Sequence, residues 1–84
     1  MFLLETIITE YELFKEVTYF RKIFTVPKDI AWIATDSDGY IYGYESKPTK
    51  PHIINNYWAS YGDEFYIGQC TFQGNWEDSL MRVE

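Results

Sequence analysis

Trp32-Ile33-Ala34-Thr35-Asp36-Ser37-Asp38-Gly39-Tyr40-Ile41-Tyr42-Gly43-Tyr44 reads as a β-hairpin. Two runs rich in aromatic and β-branched residues flank Asp36-Ser37-Asp38-Gly39, and such runs suit a pleated, half-buried surface. The tetrapeptide suits a tight turn. Asp36 is placed to accept from backbone amides ahead of it, and Gly39 takes positive φ at no steric cost. The strands are predicted over about 30–35 and 40–45. On the second, Tyr40, Tyr42 and Tyr44 share one face and Ile41 and Gly43 the other. A glycine in mid-strand marks a bulge or a close approach by another group.

Upstream, Thr9-Glu10-Tyr11-Glu12 fits a capping box, with Thr9 as N-cap and Glu12 at the third helical position. Ile8 and Leu13 suit the accompanying hydrophobic staple. Glu10 and Glu12 fall at the positive end of the helix dipole, Arg21 and Lys22 at the negative end. Leu13, Phe14, Val17, Phe20 and Phe24 recur at helical spacing. A helix is therefore predicted over about 10–22. The competing reading is a strand from Val17 to Val26, a stretch full of β-branched and aromatic residues; the cap signals favour the helix. Residues 1–8 fit a helical turn or an edge strand, and Pro27 closes the unit.

Downstream, Ser46-Lys47-Pro48-Thr49-Lys50-Pro51 is a loop, because two prolines cannot join a ladder centrally. A third strand is predicted over about 52–58, a turn over 59–64, and a fourth strand over about 65–72. Phe65, Ile67 and Cys70 would face inward on that strand, with a bulge at Gly68 where the alternation slips. Trp76 and Leu80 lie at the spacing of one short helical turn. The expected fold class is α+β: an N-terminal helix packed on a small antiparallel sheet of about four strands. The chain reads as one domain, with a helical part over 1–26 and a β meander over 27–84.

A chain of 84 residues supports only a thin core. Eight Tyr, six Phe and three Trp compensate, because each buried ring hides a large area. That many rings are hard to hide in so short a chain, so a homodimer or a partner surface is a further expectation. Thirteen acidic residues against seven basic ones give a net charge of −6. That balance argues against direct contact with nucleic acid, where phosphates demand Lys and Arg. It suits a partner protein with a basic groove, or simply solubility. Cys70 is the one cysteine, so no disulfide closes within the chain, and a cytosolic setting is expected. Met1-Phe2-Leu3-Leu4-Glu5 lacks the basic start of a signal peptide, and no apolar run is long enough to span a bilayer.

Several chemistries fail on residue type. Aligning Asp36 to the third position of a calcium loop puts Asp38 at the fifth, Gly39 at the sixth and Glu45 at the twelfth. The first position then falls on Ala34, which offers no side-chain oxygen, and the flanks read as strands, so no metal is expected. His52 is the sole histidine and Cys70 the sole cysteine; nothing around either marks a nucleophile–base pair or a zinc site. Asp36/Asp38, Asp63/Glu64 and Glu77/Asp78 all fall at predicted turns, where solvated charge is the default, and no cleft architecture supports a glycosidase. No Gly-rich phosphate loop is present, and neither an enzyme nor a cofactor is expected. Tyr40, Tyr42 and Tyr44 have the makings of a stacking platform, with core cover as the alternative reading.

Trp32-Ile33-Ala34-Thr35-Asp36-Ser37-Asp38-Gly39, Tyr42-Gly43-Tyr44, Lys47-Pro48, Trp58 and the closing Trp76-Glu77-Asp78-Ser79-Leu80 together resemble a recurrent group of small phage-encoded proteins. These share an Ile-Ala-x-Asp-x-Asp-Gly hairpin, a Lys-Pro loop, a central Trp and a terminal Trp-x-x-Ser-Leu. The similarity covers about residues 25–82 and leaves the N-terminal part outside. It implies a viral origin and expression in a host bacterial cytoplasm. Small acidic phage proteins of this kind often inhibit host machinery such as CRISPR effectors, restriction enzymes or nucleases.

The expected function is a non-enzymatic inhibitor of a host defence or nucleic-acid-handling protein, with an acidic surface that partly imitates DNA. The residues expected to touch the partner are Asp36, Asp38, Tyr40, Tyr42, Tyr44, Trp58, Asp63, Glu64, Glu77 and Asp78. Two alternatives belong to other classes: an oligomeric sponge for a nucleotide signal, and a virion assembly protein.

Overall fold

A computed structural model describes residues 13–49 and 56–83. The predicted helix over 10–22 is overturned there: from Phe14 onward that stretch is a β-hairpin. β1 (Phe14–Tyr19) pairs antiparallel with β2 (Lys22–Pro27), in a register from Phe14 opposite Pro27 to Tyr19 opposite Lys22. The sequence has a period of two that the helical spacing masked. Val17, Tyr19 and Val26 are buried, while Glu16, Thr18 and Thr25 between and beside them are exposed. The capping box at Thr9–Glu12 lies outside the described residues.

The turn of this hairpin is unusual in residue type. Phe20 (φ 46°) and Arg21 (φ 68°) occupy the two central positions in the left-handed region. A two-residue hairpin loop with both central residues there favours Asn and Gly. An aromatic and an arginine in their place cost roughly 1 kcal/mol each.

A second sheet holds β3 (Trp32–Thr35), β4 (Tyr40–Tyr44), β5 (Glu64–Gln69) and β6 (Met81–Arg82), in the order β5-β4-β3-β6. All its pairings are antiparallel. Among the described residues the fold is therefore all-β, two antiparallel sheets, with the 3-10 turn Trp76–Asp78 as the one helical element after β1 begins. That turn falls where one helical turn was predicted. The strand expected over 52–58 is a loop where it is described: Asn56 takes φ 61° and Trp58 leaves the chain to enter the core.

The β3–β4 hairpin forms as predicted, with different side-chain bonding. The Gly39 amide donates to the Asp36 carbonyl at 2.9 Å and the Asp36 amide to the Tyr40 carbonyl at 2.9 Å, with Gly39 at φ 92°. The side chain that caps the turn locally is Asp38, which accepts from the Tyr40 amide at 3.1 Å. Asp36 reaches across instead and accepts from the Trp58 amide at 2.9 Å. A side chain at Gly39 would collide with the Cys70 carbonyl, and the Cys70 amide donates to the Gly39 carbonyl at 2.8 Å. Gly43 answers to the close approach that its mid-strand position suggested: a Cβ there would sit 2.9 Å from Cγ2 of Ile30. On β5 the register steps from Gly68 opposite Ile41 to Tyr66 opposite Tyr42, which leaves Ile67 as the extra residue of a bulge.

The two faces of the four-stranded sheet carry different cores. Ile33 and Ile41 on one face pack with Val17, Tyr19 and Val26 of the first hairpin, and with Ile30 and Val83. Phe65, Ile67 and Cys70 pack against this cluster, the inward set expected for the fourth strand. Ala34 and Tyr44 on the other face pack with Trp58, edged by Trp32, Tyr42, Trp76 and Leu80. Thr35 ties the two together. Its amide donates to Oγ of Ser79 at 2.8 Å, and that hydroxyl donates back to the Thr35 carbonyl at 3.0 Å. Ser79 thus continues the ladder where β6 has stopped pairing, since β6 meets β3 only at Trp32 and Ile33.

Candidate functional site

β4 places Tyr40 and Tyr42 on the sheet face that the Trp58 cluster leaves partly open. Residues two apart on a strand share a face, so Tyr66 of β5, registered opposite Tyr42, joins them. The Tyr66 ring meets Tyr40 at 5.9 Å and Tyr42 at 5.7 Å between centroids, both edge-on. This geometry suits the ring quadrupole and keeps three phenols side by side. Tyr40 and Tyr66 are exposed and Tyr42 is half-buried.

Carboxylates gather around these rings. Desolvation, followed by the charges of Glu64, Asp36 and Asp38, pushes the Tyr42 phenol up from its ordinary value. The Asp36 carboxyl is itself pushed up to about 6, first by burial and then by the charges of Asp38 and Glu64, against the opposing hydrogen bond from the Trp58 amide. Asp38 and Glu64 are exposed, and Asp63 is exposed beside Glu64 in the turn before β5. The result is a surface of edge-on phenols bordered by negative charge. It offers acceptors and ring faces to a cation, and it repels phosphate.

The remaining expected contact residues lie elsewhere. Tyr44, expected on the exposed tyrosine face, is 0% exposed, and Trp58 is buried in the same cluster; both are core side chains rather than contact surface. The physical reason is the loop that carries Trp58, which covers the inner half of this face. The Trp58 indole donates to the Thr35 carbonyl at 3.2 Å, and its ring meets Trp76 edge-on at 6.2 Å. The stacking platform expected of Tyr40, Tyr42 and Tyr44 thereby loses Tyr44. Glu77 and Asp78 sit on the 3-10 turn, which Asn75 caps by accepting from the Glu77 amide at 3.0 Å. A cleft of about 250 Å³ separates the β3–β4 turn from residues 70–76, with Asp36 and Asp38 on one wall and Trp76 on the other.

Tyr66 is the exposed member of this tyrosine face that sequence reading missed. Its signal was the alternation of Phe65 and Ile67, which turns Tyr66 outward beside the tyrosines of β4. Among the described residues no three His, Cys, Asp or Glu side chains converge as metal ligands. None of the described helical segments is long and apolar enough to cross a membrane. His52 lies outside the described residues.

No protein-family model matches this chain. No curated protein is significantly similar to it. No solved structure is significantly similar to it either.

Proposed function

We propose that this protein is a non-catalytic phage inhibitor that binds a defence or nucleic-acid-handling protein in the host bacterial cytoplasm. The reading rests on one observation: exposed Tyr40 and Tyr66, with Tyr42 between them, are ringed by Asp36, Asp38 and Glu64. Phenols packed edge-on give a rigid contact area with little side-chain entropy to lose, and aromatic residues are favoured anchors of interfaces. The carboxylates steer the face towards a basic groove and away from nucleic acid itself. The partner would be a protein whose groove ordinarily holds DNA or RNA, with the carboxylates standing where phosphates stand. The resemblance to small phage proteins in the hairpin and the closing Trp-x-x-Ser-Leu supplies the host setting.

The test is paired affinity purification from nuclease-treated bacterial lysate, with the wild-type chain and a variant carrying Asp38→Lys and Glu64→Lys. The expected result is one stoichiometric protein with a nucleic-acid groove, retained by the wild type, lost from the variant and displaced by added DNA. Equal capture by both chains, or no stoichiometric protein in either, would remove the proposal.

A further inference from the structure

A second concavity shares no residue with the acidic tyrosine face. It lies between the β1–β2 turn and the chain that follows β5, and has a volume of about 390 Å³. Small-molecule sites span roughly 300–1,000 Å³, so this one suits a compact ligand. Its walls are mainly carbon. Phe20 meets Phe72 at 5.1 Å and Tyr19 at 4.8 Å, both edge-on, and Tyr19 meets Phe24 at 6.4 Å, giving a row of four rings floored by Ile41.

Charge enters this lining only as cation. Arg21 and Lys22, adjacent in the turn, line the groove, and none of the described residues lining it is acidic. In a chain of net charge −6 that is a local reversal of sign. The backbone points to the same two turn positions. Phe20 and Arg21 are held at φ 46° and 68°, where Asn and Gly would be relaxed, so the turn is strained to present a ring and a guanidinium there.

We propose that this groove binds an amphipathic organic monoanion, an aromatic or medium-chain carboxylate. The hydrocarbon part lies among Tyr19, Phe20, Phe24 and Phe72, and the carboxylate meets Arg21 and Lys22. Burying the hydrocarbon is the non-directional contribution. The guanidinium, a planar fork matched to a carboxylate, supplies orientation and selects the anion over its neutral counterpart. A nucleotide is the less suitable occupant: Arg21 and Lys22 suit its phosphate, but its ribose and base edges need more polar partners than Thr71 and Gln73 provide. This site stands independently of the inhibitor reading.

Backbone-amide NMR titration with phenylbutanoate tests the proposal, with phenylbutanamide as the uncharged counterpart. Shifts are expected at Phe20, Lys22 and Phe72, with the carboxylate bound at least about fivefold more tightly than the amide. A double variant, Arg21→Gly with Lys22→Gln, should lose that preference. It is expected to stay folded with a higher Tm, because glycine relaxes the turn that arginine strains. Absence of shifts at those residues at about millimolar phenylbutanoate would overturn the proposal. So would equal affinity for the amide, or a preference that survives in the folded double variant. Tighter binding of adenosine monophosphate than of phenylbutanoate would overturn the assignment of ligand class.

Discussion

The phenol of Tyr19 lies 2.7 Å from the hydroxyl of Thr35, sixteen residues away, and ties the first hairpin to the end of β3. The same phenol donates to the Ser79 carbonyl at 2.9 Å. A phenol has one proton, so the Thr35 hydroxyl is the donor in the shared bond. Tyr19, Thr35 and Ser79 thus form a satisfied polar network in which all three residues are buried. Burial pushes the Tyr19 phenol up, against the hydrogen bond that the Thr35 hydroxyl donates to it. Replacing it by phenylalanine keeps the ring and strips two buried groups of their partner. We expect Tyr19→Phe to cost about 1–3 kcal/mol, which in a domain of this size lowers Tm by roughly 4–8 °C per kcal/mol. Thermal unfolding followed by circular dichroism measures it, and an unchanged Tm would mean the network adds nothing.

Tyr44 makes the opposite case. Its hydroxyl is buried with no hydrogen-bond partner among the described residues, and burial, then Asp36 and Glu64, holds its phenol well above the ordinary range. Removing an unsatisfied hydroxyl removes a desolvation cost while leaving the ring packed with Ala34 and Trp58. Tyr44→Phe is therefore expected to leave Tm unchanged or to raise it, by up to about 1 kcal/mol of stability. A loss as large as that of Tyr19→Phe would contradict the unsatisfied state.

The Asp36 carboxyl sets a pH dependence whose sign is unusual for a carboxylate. Its value in the folded chain is about 6 against an ordinary 3.8, so between those values the folded state binds more protons than the unfolded one. For this group, stability is fullest at the acidic end and is lost as pH rises through about 6. Asp36→Asn keeps an oxygen for the Trp58 amide and removes the titration. After allowance for solvent screening of a half-exposed group, the variant should gain about 1 kcal/mol at neutral pH and little in acid. Urea unfolding of both chains at about pH 4.5 and about pH 7.5 tests this. Parallel pH profiles for the two chains would show that Asp36 does not titrate in this way.

The legibility of the fold tracked its turns. Asp36-Ser37-Asp38-Gly39 announces a turn chemically, and the hairpin around it was readable, with Gly43 as a close-packing site and Gly68 beside a bulge. Tyr19-Phe20-Arg21-Lys22 announces nothing. It has no Gly, Asn or Pro, so the hairpin that turns there was hidden behind the helical spacing of Val17, Phe20 and Phe24. The strain that makes the turn illegible is the strain that places Phe20 and Arg21 in the groove. The site was half legible for a similar reason: alternation gave the faces of Tyr40 and Tyr42, but only tertiary packing reveals that the Trp58 loop covers Tyr44.

Gly43 permits the approach of Ile30 that joins the connector after β2 to the sheet. A methyl group there would stand 2.9 Å from Cγ2 of Ile30, a branch fixed to the backbone by one bond, and Ile30 is itself buried. Overpacking of this kind forces off-rotamer side chains or backbone shifts. We expect Gly43→Ala to cost about 1–3 kcal/mol although alanine is otherwise favoured over glycine in ordered structure. Chemical denaturation decides it, and a neutral or stabilised variant would mean the connector relaxes freely.

The acidic tyrosine face makes a prediction about salt as well as affinity. Asp38 and Glu64 are exposed, so their reversal should leave the fold intact, unlike changes at Asp36, which holds the Trp58 amide. Charges exposed at an interface act mostly on the association rate and are screened beyond a Debye length of about 8 Å at physiological ionic strength. With the captured host protein, Asp38→Lys and Glu64→Lys together should slow association by about tenfold or more at low salt, and the gap to wild type should close as salt is raised. Tyr66→Ala should instead speed dissociation at every salt concentration, because a lost ring contact is not screened. Surface plasmon resonance across a salt series separates the two effects. Association rates that ignore both salt and charge reversal would leave the tyrosines as the only candidates for contact and remove the likeness to DNA.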